Sequence, residues 1–337
     1  MNSLPDEIVL YILNNINDTY NVLNFLSTSK YYHSFINKYK FNNNTDLPDH
    51  FIKNKYIPKN VIGKLNVEIK NYDYEYVMKL IKLDINKLNL SHTDISDVSM
   101  LGNCEELNLS HTDISDVSML GNVKKLNLSC TKITDVLKLG NCKELNLSGC
   151  KNIRDVSMLV NVKKLDLSCT KITDVLKLGN CEELNLSGCK NIKDVSMLGN
   201  VKKLNLTSTN ISDVSKLGNC EELDLSNCVN IIDVSMLGNV KKLNLSCTKI
   251  TDVLKLGNCE ELNLSHCYNV IDVSMLGNVK KLNLRYMKIL DVSMLGNCEE
   301  LDLSNCVNIR DFSMLTNVKK INLSGTYVRY VWMLVKL

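Results

Sequence analysis

A leucine strand signature, Leu-Asn-Leu or a close variant, recurs thirteen times between Leu88 and Leu323 at intervals of 19 or 20 residues. A period this short and regular describes a chain wound into equal coils rather than folded round one centre. From Leu126 onward the intervals alternate 19 and 20, so the duplicated unit is 39 residues long. The longer interval carries its extra residue just after the strand, where Cys150-Lys151-Asn152-Ile153 stands in for Thr131-Lys132-Ile133.

The alternation within each copy sets the direction of its side chains. In Leu107-Asn108-Leu109-Ser110 the leucines point to one face and the polar residues to the other, as the two-residue period of a strand requires. Cys104, Ile114, Val117 and Leu120 complete the inward set of that coil. One coil buries too few such side chains to offset the entropy of ordering its residues, so coils must stack to share a continuous core. A file of twelve aspartates, from Asp97 to Asp311, occupies one turn position. That regularity assigns them to bonding the N–H groups of the following turn rather than to carboxylate chemistry.

Composition narrows the function classes. The chain has 337 residues, is 45% hydrophobic and carries a net charge of only +3, without the basic excess of a nucleic-acid surface. It has no run of 18 apolar residues, and its first residues lack the pattern of a secretory leader. No membrane association is expected, and the expected location is cytoplasmic or nuclear. Fourteen cysteines recur at fixed repeat positions, with equivalent thiols two coils, or about 9 to 10 Å, apart, beyond disulfide reach. They read as reduced, mostly core thiols. No CxxC pair supports a metal, and no Cys-His nucleophile arrangement, glycine phosphate loop or paired carboxylate breaks the repeat. His92 and His111 read as one copied Ser-His-Thr segment. Neither an enzyme nor a cofactor is expected.

The pattern Cys142-x-x-Leu145-x-Leu147-x-x-Cys150-x-x-Ile153-x-Asp155, repeated from Cys181, Cys220, Cys259 and Cys298, resembles the cysteine-containing leucine-rich repeats. That resemblance covers about residues 86 to 334 and implies an α+β chain whose residues 86–337 form a solenoid with a curved parallel sheet. Its units are short for the family, so turns or short 3₁₀ segments are expected on the convex side. Residues 65–69 read as a degenerate first coil, and 42–85 together as linker and N-terminal cap.

Residues 1–41 leave the repeat and read as helical. Pro5 suits a first helical turn, and Ile8, Ile12 and Ile16 with Val9 and Leu13 make one apolar stripe. The stretch Leu4-Pro5-Asp6-Glu7-Ile8-Val9-Leu10-Tyr11-Ile12-Leu13, with Leu23 to Tyr32, is similar to the F-box. That family docks a Skp-type adaptor of a cullin ubiquitin ligase. Carried over, the docking residues are Leu4, Pro5, Ile8, Ile12, Leu13, Leu23 and Leu26. The order of parts resembles F-box/leucine-rich-repeat substrate receptors, and the Asn, Lys and Ile richness resembles chains of amoebae and large DNA viruses. The same helices can instead serve as a cap over the first coil, leaving a repeat scaffold with no link to ubiquitination.

On the outward, concave strand face an Asn or Asp centre column is flanked by pairs that alternate in sign from Glu105-Glu106 to Lys319-Lys320. The face sums to zero, which disfavours a phosphate groove. Partner recognition is therefore expected where uniformity fails. Arg285-Tyr286-Met287 replaces Ser-Cys-Thr, and Val229, Tyr268 and Val307 replace Lys. These six residues are the candidate contact patch for an unknown protein substrate. Tyr330 to Leu334 closes the array as a cap or a further contact.

Overall fold

The computed structural model describes residues 45–46, 52–53, 55, 65–70, 73–83 and 85–327. The candidate adaptor-docking residues between Leu4 and Leu26, and the segment from Tyr330 to Leu334, lie outside them. The chain divides into two compact units, residues 1–145 and 146–337.

In the first unit five strands, Thr45–Asp46, Leu65–Glu68, Ile85–Asn89, Glu106–Asn108 and Lys125–Asn127, pair in parallel in chain order. The strand at Thr45 lies in a stretch that composition alone marks as linker. Between the second and third strands runs the seven-residue helix Tyr74–Leu80, longer than the three-residue 3₁₀ turns of the later coils. Asp73 caps it, accepting from the Tyr76 N–H at 2.8 Å, and Tyr76, Val77 and Leu80 are buried. Burial pushes the Tyr76 phenol up to about 12.

The second unit is the repeat in its regular form. Nine three-residue strands, from Lys164–Asp166 to Lys320–Asn322, pair in parallel, each with its sequence neighbour and with leucine opposite leucine or isoleucine. One coil shows the rule. Leu184, Leu186, Cys189, Ile192, Val195, Leu198 and Val201 all point inward and are fully buried. Its return is the 3₁₀ turn Ser196–Leu198, entered where Asp194 accepts from the Ser196 N–H at 2.9 Å. Such turns, rather than α-helices, are what about 20 residues per coil leave room for. At the corner that follows, consecutive coils approach closely: a Cβ on Gly199 would lie 2.2 Å from the Lys216 carbonyl oxygen.

Two details were not readable from the pattern. Thr and Cys alternate at one buried position, and there Thr209 Oγ and Cys228 Sγ both donate to the Leu206 carbonyl, at 2.7 and 3.0 Å. In the longer coils, the asparagine added after the strand reaches back to the preceding coil, as Asn230 Nδ2 does to the Asn210 carbonyl at 3.2 Å. All fourteen cysteines are free thiols, eleven of them buried. Burial pushes the thiols of Cys142, Cys181, Cys220, Cys259 and Cys298 up to about 11.

Candidate partner-binding surface

The centre column of the strand face is held by its own backbone. Asn244 Oδ1 accepts from the Ser246 N–H at 3.1 Å, and its Nδ2 donates to Asp224 at 3.0 Å. Equivalent bonds recur at Asn185, Asp224, Asn263 and Asn283. The charged column just before the strand leucine is also self-satisfied. Lys242 lies 3.6 Å from Glu222 and 3.9 Å from Glu261, and Lys164, Lys203, Lys281 and Lys320 each have a glutamate within ion-pair distance. The hydrogen bond from Lys320 holds the Glu300 carboxyl below its usual range, and the bond to Glu261 raises Lys281. Such exposed pairs contribute about 0 to 1 kcal/mol each.

The edge of the face differs. Three residues after each strand the backbone turns left-handed, with φ near 60° at His266, Tyr286 and Asn305 and at the same place in the other coils. Glycine takes that conformation freely, yet only Gly149, Gly188 and Gly325 use it. Elsewhere a full side chain accepts a cost of about 1 to 2 kcal/mol. The bend brings side chains of successive coils together. His92 and His111 stack at 4.4 Å, and His266 stacks on Tyr286 at 4.6 Å.

Around the second stack the exposed rings and cations form a strip. His266 Nδ1 and the Tyr268 hydroxyl are 2.8 Å apart, the Arg285 guanidinium lies 4.9 Å from the centre of the Tyr286 ring, and Lys288 Nζ lies 5.8 Å from that of Tyr268. Of the residues singled out in the sequence, Arg285, Tyr286 and Tyr268 therefore meet here. Val229 and Val307 are exposed at 43% and 42% and occupy the same file as Tyr268, in other coils. Met287 is the correction: it is 2% exposed, filling the core position that Thr248 holds in an earlier coil, so it offers no surface to a partner. His266 and Lys288 were missed. Their signal was positional, since each is the neighbour of Tyr286 or Tyr268 one coil away. No group of three or more His, Cys, Asp or Glu among the described residues is placed to hold a metal.

No family model matches the chain, and neither does any curated protein. Solved structures do match. An internalin (InlF) from Listeria monocytogenes aligns over 94% of this chain and 97% of its own, at 17% identity and a TM-score of 0.57. The functional domain of InlJ from the same organism, which includes a cysteine ladder, aligns over 79% of this chain and 64% of its own, at 24% identity and 0.58. A TDR receptor aligns over 85% and 62%, at 15% and 0.52. At these identities the likeness is one of fold, and the fold is a leucine-rich-repeat solenoid.

Proposed function

We propose that this chain is a protein-interaction adaptor that binds its partner through the edge strip around Tyr268, Arg285 and Tyr286. In this reading residues 1–41 recruit a Skp-type adaptor, as their likeness to the F-box suggests, and the chain is a substrate-recognition subunit of a cullin ubiquitin ligase. It catalyses nothing itself and works in the cytoplasm or nucleus, where its free thiols stay reduced. The supporting observation is the contrast within one surface. The lysines just before the strand leucines are paired with neighbouring glutamates, whereas Arg285 has no carboxylate partner among the described residues and sits beside the exposed Tyr286 ring. Tyr and Arg in that setting are typical anchors of protein contacts. An origin in an amoeba or a large DNA virus would make such an adaptor a means of redirecting a host's ligase.

The test is co-precipitation of the full chain with a purified Skp-type adaptor and its cullin, wild type against Leu4→Ala/Pro5→Ala/Ile8→Asp. Adaptor capture by the wild type and its loss in a variant that melts at the same temperature support the ligase role. No capture by the folded wild type removes that role and leaves a repeat scaffold with a helical cap.

A further inference from the structure

We infer that the edge strip is the end of a longer track for an extended acidic peptide segment with apolar side chains; this rests on the reading of that edge as the partner site. The track is the file of residues two positions beyond the left-handed bend. In the second unit it begins with Lys151, Lys171 and Lys190, passes Asn210 and Val229, and then runs Lys249, Tyr268, Lys288, Val307, Tyr327. Adjacency along the file is direct, as Lys288 lies over the Tyr268 ring. All these side chains are exposed, and none of the lysines has an ion-pair partner among the described residues.

Charge and shape together select the occupant. From Lys249 to Tyr327 a cation alternates with a ring or a valine for most of the length, one residue per coil. Four coil steps of about 4.8 Å span about 19 Å, the length of roughly six extended residues. A peptide carrying carboxylates among apolar side chains can set its charges on Lys249, Arg285 and Lys288 and its apolar groups on Tyr268, Tyr286 and Val307. A nucleic acid fits less well. Its charge recurs at every nucleotide and would fall on Val307 and Tyr327 as often as on a lysine.

The probe is a fluorescein-labelled twelve-residue peptide of alternating Glu and Tyr, titrated with the full-length chain and read by anisotropy. Alternating Glu-Ser and Lys-Tyr peptides and a dT12 oligonucleotide serve as comparisons. The expected result is saturable Glu-Tyr binding that weakens with salt and exceeds Glu-Ser binding. It should fall at least tenfold in Arg285→Glu/Lys288→Glu and in a second variant, Tyr268→Ser/Val307→Ser, both with unchanged melting. No saturable binding, binding that both folded variants retain, or tighter binding of Lys-Tyr or dT12 overturns the inference. Adaptor capture reads residues 1–41 instead, so each result can fail while the other stands.

Discussion

Two files of side chains run through the same coils of the second unit and behave in opposite ways. The column before the strand leucine alternates Lys and Glu without interruption, and its lysines are each paired along it. The file beyond the left-handed bend has lysines with no ion-pair partner among the described residues, and from Lys249 onward Tyr268, Val307 and Tyr327 are set among them. A ladder whose members satisfy one another leaves little interaction free for a partner, however charged it looks. Where lateral neighbours do not dictate the residue, variation is free to encode recognition.

The comparison breaks most visibly at the centre column. Asn244→Ala removes both the bond to the Ser246 N–H and the bond to Asp224, and should cost about 1 to 2 kcal/mol in urea unfolding while leaving Glu-Tyr peptide binding unchanged. A loss of peptide affinity instead would mean that this column is part of the contact. A smaller contrast sharpens it: Lys242→Met should cost at most about 1 kcal/mol, less at high salt, whereas Lys288→Met should leave stability alone and weaken the peptide. The reverse pattern would abolish the distinction between the two files.

The smallest effect is on acid stability. Backbone hydrogen bonds hold the carboxyls of Asp194, Asp213, Asp233, Asp272, Asp291 and Asp311 below the usual aspartate range. A group with a depressed folded pKa binds its proton more readily when unfolded, so its contribution is complete above the unfolded pKa, about 3.9, and is lost as pH falls through the folded one. The melting temperature should hold from pH 7 to about 5 and fall steadily below 4. In Asp213→Asn, which keeps an N–H acceptor without the titration, the acid fall should be slightly shallower. Melting that declines between pH 7 and 5 would point to groups other than these aspartates.

How far the sequence could be read follows from what each position answers to. Strand positions, the inward set and the turn aspartates each obey a local rule repeated down the chain, and residues such as Leu186, Val195 and Asp194 sit where the period puts them. The left-handed bend is marked by glycine only at Gly149, Gly188 and Gly325, whereas His266, Tyr286 and Asn305 occupy the same conformation without that signal. Met287 was misread for a related reason. Replacement of a hydroxyl residue by a larger apolar one looks like a surface novelty in sequence, yet the position lies in the core, where Thr248 donates its hydroxyl to the Leu245 carbonyl. His266 and Lys288 gain meaning only from neighbours one coil away, and no single-coil motif contains both members of either pair.

The alternation of 19- and 20-residue coils bears on heredity. The added asparagine, the Thr–Cys exchange and the Lys–Glu sign all reset after two coils. Recombination between copies that gains or loses 39 residues therefore leaves the seam between flanking coils as it was. Loss of a single coil sets like charges side by side and brings together two coils of one length. Genes for this chain should accordingly vary among lineages by whole pairs of coils, with the array length free to drift and the parity of its count preserved.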